Sequence, residues 1–156
     1  MKKSIKSEIH LLTPSGKTLV PIQINYDDDE NLTHPLSEIS VIYSSNNYTG
    51  KGTDYLWVDT FADLQVKLPQ NVKIACCMTC RHGNMCPYGN RENELFCTKD
   101  ILIHNKSDIL DLFDESDPFS ERLVSSLDFC HSFVYQSDEY YTYNDYLLRL
   151  QDIQNN

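Results

Sequence analysis

Five of the chain's six cysteines fall within 22 positions: Cys76, Cys77, Cys80, Cys86 and Cys97. The sixth, Cys130, lies apart. Nothing else in the sequence constrains the fold as strongly. Such a cluster has to be oxidised, loaded with metal, used for redox chemistry or buried as plain thiols, and the redox compartment decides among these.

The start, Met1 to Leu12, is basic at Lys2 and Lys3, but Lys6, Ser7, Glu8 and His10 interrupt any apolar run. That pattern predicts no secretory signal. No stretch reaches the roughly 18 apolar residues needed to span a bilayer. The expectation is a cytoplasmic protein with reduced thiols, in which the cluster reads as metal or redox chemistry before it reads as a disulfide framework.

Cys77 and Cys80 form a C-x2-C, a spacing that lets one turn point two thiolates at one ion while nearby amides bond the sulfurs. Cys86 follows after five residues and Cys97 after ten more. Four thiolates satisfy tetrahedral zinc, and Gly83, Pro87 and Gly89 suit the tight backbone it requires. The expected metal set is therefore Cys77, Cys80 and Cys97, with Cys86 or Cys130 as fourth ligand and His82 and His131 close by. Three alternatives remain open on the residues alone. One is an iron–sulfur cluster on the same cysteines. Another is a dithiol oxidoreductase with Cys77 attacking and Cys80 resolving, although that motif normally opens a helix and here a Gly/Pro-rich loop follows it. The third is unligated thiols. Cys76, next to Cys77 on a strand, should face the opposite side and enter the core.

The rest of the chain predicts an α+β fold. At 156 residues, 40% of them hydrophobic, it has enough apolar side chains for one core. A single domain over 1–156 is expected, because cores divide only above about 250 residues. Positions 1–77 read as β-rich. Ile5 to Leu12 and Thr18 to Tyr26 form a hairpin around Thr13-Pro14-Ser15-Gly16-Lys17, with Pro21 at an edge or bulge. Ile39 to Tyr43 is a strand, Ser44 to Gly52 a loop, and Tyr55 to Val58 a further strand. Asp59 or Thr60 should cap a helix with Phe61, Leu64 and Leu68 on one face, and Val72 to Cys77 should be a buried strand. The Cys-rich segment covers 76–97.

Positions 106–153 read as helical. A short helix capped by Ser107 presents Ile109, Leu112 and Phe113. A second, opened by Asp117-Pro118, carries Leu123, Leu127, Cys130 and Val134 at steps of four, three and four. A third, capped by Thr142, carries Tyr143, Tyr146, Leu147, Leu150 and Ile153. The tyrosines at 140, 141, 143 and 146 suit either a packed helix margin or an interface.

The run Cys77-x-x-Cys80-Arg81-His82-x-x-x-x-Pro87-Tyr88-Gly89, with Cys97 after it, resembles a family of small uncharacterised bacterial proteins. The later run from Leu127 to Gln136, ending in Tyr141-x-Tyr143-Asn144-Asp145-Tyr146, is similar to it as well. The resemblance spans about half the chain. It implies a shared set of Cys77, Cys80, Cys97 and Cys130, with Cys86 the odd one, and it carries no activity. It also points to genomic settings rich in toxin–immunity pairs.

Other chemistry finds little support. Gly16-Lys17-Thr18 ends like a Walker A motif, but position 11 is Leu11 where a Gly is required. Gly-x-Ser-x-Gly and His-Glu-x-x-His are absent from the sequence. The net charge of −10 argues against nucleic-acid and anionic-membrane partners, which need clustered Lys and Arg. It permits a basic protein partner. The stretch 72–99 departs from the acidic trend: Lys73, Arg81, Arg91 and Lys99 face only Glu92 and Glu94, which predicts local support for thiolates. The expected function is a non-enzymatic interaction protein with a zinc-stabilised Cys loop, for which an immunity-type role against a basic toxin fits. The alternative is a thiol oxidoreductase on Cys77 and Cys80.

Overall fold

Period-two alternation builds the larger layer. In the computed structural model, which describes residues 2–29, 31–32, 35–53, 57–90, 94–114 and 119–156, strands β1 (Lys2–Thr13) and β2 (Gly16–Asp27) pair along their whole length. The turn between them is only Pro14-Ser15, tighter than the longer loop expected. Gly16 follows it at φ 119°, so the Gly-Lys-Thr run sits in a hairpin and not at a strand-to-helix phosphate loop. Strands β3 (Ser37–Tyr43), β4 (Asn46–Gly52) and β5 (Lys73–Ala75) complete an antiparallel sheet of order β4-β3-β2-β1-β5. Pro21 lies one residue beyond the last β2–β3 pair, Ile22 with Val41, where its missing N–H costs β3 nothing.

One face of the sheet is apolar. Ile9 and Leu11 of β1, Val20, Ile22, Ile24 and Tyr26 of β2, and Ile39 and Val41 of β3 are buried at alternate positions. Helix α1 (Val58–Lys67) covers this face with Phe61, Ala62 and Leu64, and Leu68 closes it. Each such Phe, Leu, Ile or Val side chain contributes about 1.5–3 kcal/mol on burial. The helix comes so close to β4 that a Cβ on Gly50 would overlap the Thr60 carbonyl. The same core takes Met78, Leu95, Tyr146 and Leu150, so both halves of the chain share it.

Several local expectations are corrected. The loop expected over Ser44 to Gly52 is the strand β4, entered through Ser44 and Ser45 at φ 48° and 64°. Two successive left-handed residues match the twist of a hairpin, as in a type I′ turn. Val58 begins α1 and does not end a strand; Trp57, at φ 61°, precedes the helix, while Tyr55 and Leu56 lie outside the described residues. Neither Asp59 nor Thr60 caps that helix; both lie inside it.

A second sheet, β6 (Gly83–Asn84), β7 (Glu94–Cys97) and β8 (Leu123–Ser125), has the order β6-β7-β8. Beside it, helix α2 (Lys106–Asp114) buries Ile109, Leu112 and Phe113 against Phe96. Asn105, not Ser107, caps this helix, its side chain accepting the Asp108 amide at 3.2 Å. Helix α3 starts at Tyr146 and ends at Gln154, later than a Thr142 cap predicts. The middle helix of the last third does not form over the described residues; its expected start, Asp117-Pro118, lies outside them. Leu123 is in β8, and Leu127, Cys130 and Val134 lie in irregular chain. No helix among the described residues is long and apolar enough to cross a membrane.

Candidate functional site

The Cys turn begins where β5 ends. The strand expected over Val72 to Cys77 is shorter, Lys73–Ala75, so strand alternation does not separate the first two cysteines: Cys76 is fully buried in the core and Cys77 is half-buried against the same core. Burial pushes the Cys76 thiol up to about 12. A 3-10 turn follows over Cys77–Thr79, fastened by the Thr79 hydroxyl, which donates to the Ile74 carbonyl at 2.7 Å and accepts the Cys76 amide at 3.3 Å. The Gly83 amide then donates to the Cys80 carbonyl at 3.0 Å, and Gly83 pairs with Cys97 across β6 and β7. This pairing carries Cys97, fourteen residues past Gly83, back beside the turn.

The fourth thiol arrives on an arch. The Cys77 amide donates to the Asp128 carbonyl at 2.7 Å, and the Arg81 amide to the Val134 carbonyl at 2.7 Å. The chain between, Phe129 to Phe133, therefore bows over the Cys77–Cys80 turn with Cys130 on it. Phe129 anchors the arch on the sheet, stacked 4.3 Å from the His10 ring and under the Lys17 ammonium at 4.6 Å. These bonds explain why no helix forms here: carbonyls at 126, 128 and 134 serve the distant turn, and Ser125, Ser126, His131, Ser132 and Val134 are weak helix formers.

Cys77, Cys80, Cys97 and Cys130 thus come from three separate segments to line one pocket, walled by Val124, Phe129, Phe133 and His82. The space between them is about 10 Å³, roughly the room of one water-sized sphere. Among the described residues no three ligating side chains close onto a single point. Cys86 is elsewhere: it packs on the second core beside Phe96 and Phe113, and its amide donates to the Asn90 side chain at 2.6 Å. His82 lines the thiol pocket, held below the usual His range by burial and then by Arg81 and Lys99. His131 is exposed and does not line it.

Burial raises the Cys77 thiol most, with Cys76, Cys80, Asp128 and Cys97 adding to it. Burial also raises Cys80, against the pull of the Val134 and His82 amides aimed at its sulfur; the His82 nitrogen is 3.5 Å away. The local excess of Lys and Arg does not reverse this. Lys73 sits over the Tyr135 ring at 4.8 Å and Arg81 over the Tyr140 ring at 3.4 Å, and Arg91 lies outside the described residues. Amides directed at a buried sulfur are the support a metal thiolate uses.

Sequence reasoning missed the residues that hold this site together. The Gln136 side chain donates to the Met78 carbonyl at 2.9 Å, and the Thr142 hydroxyl to the Arg81 carbonyl at 2.8 Å. The Asn84 side chain accepts the Tyr143 amide at 2.8 Å. The only sequence signal was that the Cys run and the later tyrosine-rich run occur together in one motif. No protein-family model and no curated protein matches the chain.

Proposed function

We propose that Cys77, Cys80, Cys97 and Cys130 hold a structural zinc ion in a non-enzymatic cytoplasmic interaction protein. One observation carries the reading: four thiols from three segments face a space with room for about one small sphere. Thiolates in a tetrahedral set are the donors zinc takes, and the ion would link β7, the Cys turn and the arch by drawing all three segments inward, since no three of the thiols converge before it binds. The chain's −10 charge supports a basic protein partner, and an immunity-type role fits such a partner. Cys77 opens a short 3-10 turn, whereas the dithiol redox motif opens an α-helix whose N-terminus activates the first thiol. That weighs against the oxidoreductase reading.

The test is elemental analysis of anaerobically purified protein. About one zinc per chain is expected. Cys130→Ser should lose it, and Cys86→Ser should keep it. If both variants retain full metal and stability, the ligand set is wrong.

A further inference from the structure

Three of the four pocket thiols also line a second space. Cys77, Cys97 and Cys130 border an open cleft of about 460 Å³ whose walls include Lys99, Asp100, Arg122 and Asp128. That volume is within the range of small-molecule sites. Cys80 does not line it. Cys130 is exposed, Cys77 and Cys97 are half-buried, and Cys80 is buried. A closed structural zinc site shields its sulfurs; here one side of the thiol set faces solvent through a cleft that admits a solute. The asymmetry has a structural cause. Cys80 is pinned beneath the arch, and Cys97 is held in β7, where the Arg122 guanidinium donates to its carbonyl at 3.2 Å while pairing with Asp100. Cys130 lies in irregular chain on the arch, where its carbonyl accepts the Phe133 amide at 3.1 Å and its side chain is exposed.

Resting on the zinc reading, we infer that this cleft makes the site a peroxide-sensitive release switch, with Cys130 as the sulfur oxidised first. The Cys130 sulfur attacks the outer oxygen of a hydroperoxide. An S–O bond forms, the O–O bond breaks, and the departing alkoxide or hydroxide takes up a proton. Cys77 or Cys97, the other thiols of the cleft, then attacks the Cys130 sulfenic acid. An S–S bond forms and hydroxide leaves to become water. Two sulfurs have together given the two electrons that reduce the peroxide. The ion is left with two thiolates and departs, and the arch loses its tie to β7. Reduction of the disulfide by a thiol restores the set.

The experiment titrates the reduced, zinc-loaded protein with hydrogen peroxide, follows free zinc with a chromogenic chelator, and maps disulfides by mass spectrometry after alkylation. Release of one zinc per disulfide is expected, with Cys130 in that disulfide and Cys86 still alkylated. A Cys130→His variant keeps a zinc-binding side chain but no oxidisable sulfur there, and release should slow about tenfold or more. Cys86→Ser should release zinc at the unaltered rate. Zinc retained while peroxide is consumed, or a first disulfide without Cys130, overturns the switch and leaves the zinc reading intact. Absence of zinc from the reduced protein overturns both.

Discussion

The Asn144 side chain donates to the Met78 carbonyl at 2.9 Å and, with its second hydrogen, to the Gly83 carbonyl at 3.0 Å. One amide thus spans the Cys turn from the far end of the chain. Its oxygen accepts the Tyr146 amide at 2.9 Å and so starts α3. The residue that orders the thiols also orders the helix that closes the main core.

That double role gives a graded expectation. Asn144→Ala should cost about 1–3 kcal/mol, the usual penalty for stranding buried acceptors. Gln136 still serves Met78, so the Gly83 carbonyl bears most of it. Asn144→Asp should be worse than Ala despite its matching shape, since a carboxylate cannot donate and would face two carbonyl oxygens. Urea unfolding midpoints rank the two. If Asp is milder than Ala, the bonds are not what holds the turn.

Gly83 is where β6 approaches the Cys turn most closely. A Cβ there would overlap the Cys77 carbonyl oxygen, and the neighbouring Cys80 carbonyl is also close. Gly83→Ala must push β6 away from the turn, at about 1–3 kcal/mol by analogy with overpacked cores. Cys97 pairs with Gly83, so the same shift should separate Cys97 from Cys77 and Cys80. Zinc content and thermal midpoint should fall together. A variant with full zinc content would show that the β6–β7 pairing does not set the thiol geometry.

How legible this was depends on where each segment's backbone bonds go. Ile22, Ile24, Ile39 and Val41 alternate and pair locally, so the sheet could be read from period two. Phe61 and Leu64 repeat at helical steps within α1 and Leu68 closes the same face from the C-cap, so local periodicity reports it. Ser44-Ser45 hid a hairpin because neither residue is the Gly or Asn that normally marks left-handed turns. The stripe Leu123, Leu127, Cys130 and Val134 has helical steps by coincidence. In that segment the carbonyls of Ser126, Asp128 and Val134 are taken by amides some fifty residues earlier, and no local pattern reports that. For the same reason, spacing could not choose between Cys86 and Cys130. Only the arch, pinned at Asp128 and Val134, brings the more distant thiol to the pocket.

The sheet's β4 edge is closed by α1. The Asp63 carboxylate accepts the Lys51 amide at 2.8 Å and holds Lys67 at 2.7 Å, while the Lys67 ammonium donates to the Thr49 carbonyl at 3.0 Å. Two edge groups that would otherwise be available to another strand are thereby occupied. Asp63→Ala should cost about 1 kcal/mol, whereas Asp63→Asn, which can still accept the Lys51 amide, should cost less. The double variant with Lys67→Ala should be less damaging than the sum of the singles. Strict additivity in urea unfolding would show the two groups to be independent.

Alkaline pH should unfold the protein through a buried tyrosine pair. The Tyr135 and Tyr146 hydroxyls are 2.6 Å apart. Burial pushes Tyr135 up to about 12; burial, then Tyr135 itself, raises Tyr146 further above the usual range. In the unfolded chain both titrate near about 10. Below that pH the two states hold the same protons, and this pair makes stability no function of pH. Between about 10 and 12 the unfolded state has released protons that the folded state retains, so stability falls as pH rises, by up to about 1.4 kcal/mol per pH unit for each tyrosine. Urea unfolding at several alkaline pH values should show this slope in the parent protein. It should be flatter in Tyr135→Phe and flattest in the Tyr135→Phe, Tyr146→Phe double variant. Equal slopes in all three would place the alkaline lability elsewhere in the chain.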